Sequence, residues 1–145
     1  MKITLIRFKN VKSTNDVAIR LIKNQKLNRG LITSEKQTNG RGTMGKKWVS
    51  KKGNLFISLF FEINQKKVNF KNYSILNAFI LRKIISKFVN EKIKIKWPND
   101  LLYKRKKICG ILQEVISFQR KNFLIIGVGL NTNFAPNNRS FSSTS

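Results

Sequence analysis

Lys92-Ile93-Lys94-Ile95-Lys96-Trp97-Pro98-Asn99-Asp100 is the stretch on which the fold turns. Isoleucine alternates with lysine, the period of a strand that buries one face and wets the other. Over residues 92–97 this predicts Ile93, Ile95 and Trp97 inward and Lys92, Lys94 and Lys96 outward. Pro98 cannot donate to a ladder, so the strand stops there. Residues 101–103 and 108–116 then read as two strands joined by the basic turn 104–107, an antiparallel hairpin. Residues 123–130 form a buried-type strand that ends at Asn131.

Working toward the N-terminus, residues 73–88 fit a helix with Leu76, Phe79, Ile80, Lys83, Ile84 and Phe88 along one side, a stripe expected to be core. Residues 54–63 are a strong strand with Leu55, Ile57, Leu59, Phe61 and Ile63 on one face and Phe56 and Phe60 on the other, which predicts cover on both sides. Residues 31–34 read as a short strand after a turn at Asn28-Arg29-Gly30. Ser13 is a good N-cap for a helix carrying Val17, Ala18, Leu21 and Ile22 on one face and fading around Lys26. Residues 3–8 are a further short strand. The order β-α-β-loop-β-α-β-β-β-β predicts an α+β fold, a mixed and largely antiparallel sheet with helices packed on it. One domain is expected over residues 1–145, with an irregular Asn/Ser-rich tail at 132–145.

The chain has 145 residues, 41% of them apolar, enough for one core. Lys and Arg number 30 against six Asp and Glu, a net charge of +24. With Cys109 alone and no histidine, a disulfide framework, an ordinary zinc site and His-dependent nucleophilic catalysis are excluded. No apolar run approaches the ~18 residues of a membrane helix, and residues 3–6 behind Lys2 are too short for a signal peptide. A soluble, cytoplasmic protein with no membrane partner is expected. The charge invites a nucleic-acid-binding reading. Yet the cations are spread from Lys2 to Arg139, without zinc-finger spacing, an RNP-like motif or a basic region leading into heptads. Solvated faces account for them, as does attraction to nucleotides or an acidic protein.

Four segments carry chemistry. Gln37-Thr38-Asn39-Gly40-Arg41-Gly42-Thr43-Met44-Gly45-Lys46-Lys47-Trp48 lies in a long polar loop, 36–53, that holds four of the eight glycines. Its glycines let backbone N–H groups approach an anion, and Arg41, Lys46 and Lys47 add charge. It lacks the Lys-Ser/Thr pair of a Walker A loop, and taken alone it is compatible with an ordinary turn. Lys96-Trp97-Pro98-Asn99-Asp100, with Lys107-Ile108-Cys109-Gly110 across the hairpin, brings Asp100 and Lys107 to one end of the sheet. That pair reads as a surface ion pair or, given how scarce acids are here, as a magnesium ligand beside a cation. Ser13-Thr14-Asn15 opens a helix, where hydroxyls can cap it and also face a ligand. Gly127-Val128-Gly129-Leu130-Asn131 marks either a close approach or a bulge.

In this order and spacing the four segments resemble the catalytic domain of biotin–protein ligases, the biotin–[acetyl-CoA-carboxylase] ligases, from about Ser13 to Asn131. Lys-Trp-Pro-Asn-Asp is the most specific element. The resemblance implies the fold shared with class II aminoacyl-tRNA synthetase and lipoate-ligase domains. It also implies an enzyme that uses ATP and Mg2+ to make biotinyl-5′-AMP and passes biotin to a lysine of the biotin carboxyl carrier protein of acetyl-CoA carboxylase. By position, Ser13, Thr14, Asn15, Gln37, Gly40, Arg41, Trp48, Lys107 and Gly110 would meet biotin. Gly42, Thr43, Gly45, Lys46, Asn99 and Asn131 would meet ATP or the adenylate. Lys107, Arg41 and Asp100 would be catalytic, with Asp100 at the metal–phosphate end. Some members carry a basic residue at the place of Thr43, where Lys46 or Lys47 would have to compensate. Only twelve residues precede Ser13, so no DNA-binding helix-turn-helix and no operator binding are expected. The chain stops where the family usually continues into a small C-terminal β-barrel. Family dimers commonly pair sheet edges, so a homodimer is compatible. A lipoate or octanoate transferase on the same fold, or a basic nucleic-acid-binding module, are the alternatives.

Overall fold

The longest pairing in the computed structural model joins β6 (Lys106–Phe118) to β7 (Lys121–Leu130) in unbroken register from Cys109↔Leu130 to Phe118↔Lys121. A two-residue turn closes it, with Gln119 and Arg120 both at positive φ (47° and 61°), the geometry whose twist matches that of two right-handed strands. The structure describes residues 3–64 and 70–133.

β3 (Leu55–Ile63) pairs with the other edge of β7, β2 (Arg29–Ser34) with β3, and β1 (Leu5–Phe8) with β2. Beyond β6 lie β5 (Asp100–Tyr103) and β4 (Lys94–Lys96). The seven-stranded order is β1-β2-β3-β7-β6-β5-β4. Only β1 and β2 run parallel, because the helix α1 (Thr14–Lys23) makes the crossover between them. This is the mixed, largely antiparallel α+β architecture expected.

Alternate residues of β7 divide the core between the two faces. Phe123 and Ile125 join Val17, Ala18 and Ile22 of α1 with Ile32 and Phe60. Leu124, Ile126 and Val128 face the helix α2 (Phe70–Ile85), meeting Ala78, Ile85, Ile93 and Leu101. β3 is covered on both sides as its pattern predicts: Phe56 and Phe60 are fully buried, and Ile57, Leu59, Phe61 and Ile63 pack on the α2 side. Each buried phenylalanine contributes about 1.5–3 kcal/mol.

Four expectations are corrected. Arg29 and Gly30 are not a turn but the start of β2, paired with Phe61 and Phe60. The hairpin turn is Lys104-Arg105 alone, since Tyr103 pairs with Lys106. Of the three residues expected inward, only Ile93, just before β4, is buried (1% exposed); Ile95 is 36% and Trp97 71% exposed. β4 is an edge strand covered from one side, and Trp97 lies past its last paired residue. The stripe Leu76, Phe79, Ile80, Ile84 and Phe88 is exposed, while Ala78 and Ile85 are buried and Tyr73 and Leu81 pack on the core. The helix is apolar around most of its circumference, so spacing alone does not choose the buried side. The tail expected to be irregular lies outside the described residues from 134 onward. No helix among the described residues is long and apolar enough to cross a membrane.

Cys109 is fully buried. Burial first, then the charge of Asp100, pushes its thiol up to about 12, with Lys107 opposing. Alkylation of the native protein by iodoacetamide at pH 8 is expected to run at least roughly 10³-fold slower than in denaturant, where the thiol returns to about 8.5. This thiol leaves stability unchanged below about pH 8.5 and lowers it as pH rises from there toward 12, where only the unfolded chain ionises.

Candidate functional site

Strand register sets Phe56, Gly129, Gly110 and Asp100 side by side across β3, β7, β6 and β5, on the face that carries α1. The next row holds Ser58, Gly127 and Leu112. The glycines answer a close approach, not a bulge. A Cβ on Gly110 would stand 2.7 Å from the Trp48 ring, one on Gly129 would press closer still, and one on Gly127 would strike the Asn15 amide. Three glycines thus form a floor on which one indole and one carboxamide rest.

The polar loop folds over that floor. The Trp48 N–H donates to the Gly40 carbonyl (2.8 Å) and the Gly42 N–H to that of Lys46 (2.7 Å), closing a narrow β-like turn. Its tip is the 3-10 turn Thr43–Gly45, with Met44 94% exposed and both Met44 and Gly45 at positive φ. Gly40 has the Trp48 carbonyl and the Ser50 hydroxyl where a Cβ would stand.

At one end of the cavity the start of α1 buries polar groups. Ser13 occupies the N-cap position, yet its side chain makes no cap bond. Instead the N–H and hydroxyl of Thr14 donate to Gln37 Oε1 (2.8 and 3.1 Å), and Gln37 Nε2 donates to Ser50 Oγ (2.8 Å). The Ser58 hydroxyl bridges Thr14 Oγ1 (2.8 Å) and Asn15 Oδ1. Asn15 Nδ2 donates to Glu114 Oε2 (2.7 Å). Left unpaired, such buried groups would each cost about 1–3 kcal/mol; here they satisfy one another.

At the other end Lys107 Nζ pairs with Asp100 Oδ1 at 2.7 Å and stands 5.3 Å from the centre of the Trp48 ring. Both partners are mostly buried, at 24% and 14% side-chain exposure, unlike the Lys52–Glu35, Lys104–Glu91 and Lys121–Glu62 pairs on the open surface. Asn99 Nδ2 donates to the Ile111 carbonyl (3.0 Å). Asn131 is buried, its Oδ1 accepting from Asn54 Nδ2 (3.4 Å).

Between the two ends lies a cavity of about 590 Å³, in the usual range for a small-molecule site. Thirteen expected site residues line it: Ser13, Thr14, Asn15, Gln37, Arg41, Gly42, Thr43, Lys46, Trp48, Asn99, Lys107, Gly110 and Asn131. Gly40, Gly45 and Asp100 do not line it: Gly40 and Gly45 shape the loop, and Asp100 pairs with Lys107. Two donors within this shell, Arg41 Nε and Trp48 Nε1, are buried with no hydrogen-bond partner. Gly110, expected to meet biotin, has the Trp48 ring where a Cβ would stand. Asp100, expected to serve a metal, is paired with Lys107, and no group of three or more His, Cys, Asp or Glu gathers among the described residues.

Sequence reasoning missed Glu114, Asp16 and Ser58. Glu114 lies four residues beyond Gly110 on the same strand face, and Ser58 is the polar residue between Phe56 and Phe60; both show in the period of two. Asp16 carries no such signal.

This chain belongs to the biotin/lipoate A/B protein ligase family, whose sequence profile matches residues 7–131. It is 34% identical over 129 residues to the bifunctional ligase/repressor BirA of Bacillus subtilis, covering 88% of this chain and 40% of that protein. It is 29% identical over 130 residues to a biotin–[acetyl-CoA-carboxylase] ligase of Mycobacterium tuberculosis, covering 86% and 47%. The fold matches the biotin protein ligase of Leishmania major in complex with biotinyl-5-AMP at TM-score 0.80 and 27% identity, over 99% of this chain and 63% of that one. It matches the Aquifex aeolicus ligase in complex with biotin and ATP at 0.77 and 30%, over 97% and 58%. The chain thus spans less than half the length of these two curated relatives.

Proposed function

We propose that this chain activates biotin with ATP and transfers it to a lysine of a biotin carboxyl carrier domain of the acetyl-CoA carboxylase type, in the cytoplasm. One observation carries the reading: four segments far apart in sequence line a single cavity, with neutral donors and acceptors at one end and Lys107 at the other. Ser13, Thr14, Asn15 and Gln37 suit a ureido ring, which both donates and accepts. The apolar surfaces of Trp48 and Leu112 suit its hydrocarbon chain.

In the first step a carboxylate oxygen of biotin attacks the α-phosphorus of ATP. The bond to the bridging oxygen breaks, and pyrophosphate leaves. Two anions must meet, so charge neutralisation is the main demand. Lys107 supplies it, oriented by Asp100 and by the Trp48 face beneath it. Lys46 and the Gly42–Thr43 backbone line the nucleotide side with Asn99 and Asn131. Bound magnesium would neutralise phosphate oxygens; the donor set fits a hydrated ion held chiefly by the triphosphate, with at most Asp100 from the protein. In the second step the carrier lysine amine attacks the mixed anhydride, the acyl–oxygen bond breaks and AMP leaves. The loop over the cavity keeps water from the adenylate. The cations serve nucleotide phosphates in this reading, so no sequence-specific DNA is bound.

Incubation with ATP, magnesium, labelled biotin and a carrier domain should place label on one acceptor lysine, and biotin should raise the melting temperature where lipoate does not. Folded protein that neither binds biotin nor forms the adenylate overturns the proposal. Stabilisation by lipoate instead would favour the sister acyl transferase.

A further inference from the structure

The chain has six acids among 30 bases, yet two of the six converge on one guanidinium. Arg41 donates through Nη1 and Nη2 to the two oxygens of Glu114, each at 2.8 Å, and Nη2 lies 2.9 Å from Asp16 Oδ1. A planar fork on a carboxylate fixes both distance and orientation. The same Glu114 oxygen that takes Nη2 also accepts from Asn15 Nδ2 at 2.7 Å. One carboxylate on β6 therefore holds the base of the Gly-rich loop and the amide at the head of α1. Arg41 and Glu114 are 32% and 24% exposed, less open to solvent than the three surface pairs. Burial works against the Arg41 charge, but the bonds and charges of Glu114 and Asp16 outweigh it and hold the guanidinium above its ordinary pKa.

We infer that Glu114 is a positioning residue that latches the loop 40–48 closed and sets the Asn15 amide for its ligand, so that loop order and ligand affinity are governed together by one side chain that does not take part in the chemistry. Asp16 serves as the auxiliary anchor. With Glu114 in place the Arg41 backbone is fixed to the sheet; the tip beyond it, from Thr43 to Gly45, remains free to move against a nucleotide. The ligand half of this inference rests on the proposed biotin site, while the loop half stands without it.

Glu114→Gln keeps the shape and removes the charge. Trypsin cleavage after Lys46 and Lys47, located by mass spectrometry in the protein without ligands, is expected to speed up about 5–10-fold at a melting temperature close to that of the parent. The KM for biotin in adenylate formation should rise about 10-fold, with kcat and the KM for ATP within about twofold. Arg41→Gln should speed cleavage equally, and the double variant should be cleaved no faster than either single one, because both break the same latch. Asp16→Asn, at a more exposed position, should speed cleavage only about twofold.

Unchanged cleavage and unchanged biotin KM in a folded E114Q protein would overturn the inference. So would a loss of kcat at constant KM, effects of E114Q and R41Q on cleavage that multiply, or an effect of D16N on cleavage larger than that of E114Q. If the parent protein binds no biotin, the proposed function falls, and the cleavage experiment alone still decides the latch.

Discussion

Replacement of Lys107 by alanine is expected to lower biotinyl-adenylate formation by about 10²–10³-fold or more, the scale of losing one preorganised charge donor at a reacting oxyanion. The ammonium is held from two directions, by Asp100 at 2.7 Å and by the Trp48 ring at 5.3 Å, so it is in place before substrate arrives. Its loss leaves Asp100, 14% exposed, without its ion-pair partner. A destabilisation of about 1 kcal/mol follows, a shift of a few degrees in the melting temperature. Pyrophosphate release and the melting curve, measured together, separate the two effects. Lys107→Arg keeps the charge but not the point geometry and should recover only part of the rate. Full adenylate formation by the alanine variant would remove Lys107 from the role assigned to it.

Gly129→Val should abolish biotin binding by calorimetry, a weakening of at least about 100-fold. Valine is the better strand residue by propensity, which makes the expected loss diagnostic. A Cβ at this position meets the indole of Trp48 well inside contact distance, with the ring's own Nε1 and Cε2 nearest. The ring cannot sink, because Gly110 beside it is in contact as well. It must lift into the cavity it now borders. Overpacking of this kind costs about 1–3 kcal/mol, so the protein should remain folded, with altered tryptophan fluorescence. Near-parental affinity for biotin would mean that the indole does not shape the pocket.

Much of this was readable from the residues. Strand existence followed from the alternation at β3, and β5, β6 and the largely antiparallel sheet from the hairpin around Lys104-Arg105. The ordered motifs were brought together as expected, even though Thr14 and Gln37 are 23 residues apart and Asn15 and Leu112 are 97 apart. The failures have physical causes. Trp97 and Ile95 alternate correctly, but alternation names a face and does not say whether anything covers it at a sheet edge. The apolar stripe of α2 failed because a helix with large residues on most sides has no unique inward angle. The partners of Arg41 were not legible: sequence shows its charge, whereas its two carboxylate partners lie 25 residues before and 73 after it and only the folded chain brings them within reach. The contact of Gly110 with Trp48 was not legible, because a glycine reports a close approach without reporting who approaches.

The glycine floor also bears on how the protein acquires its site. β6 and β7 are neighbours in sequence, joined by two residues, so Gly110, Gly127 and Gly129 are aligned within one local hairpin. Closing so short a loop costs little chain entropy, and contacts of this kind form fast. Glu114 and Lys107 belong to the same hairpin. The platform and its principal charges are therefore a local product of one segment, assembled early, while the indole, the guanidinium and the helix head must be recruited from far upstream.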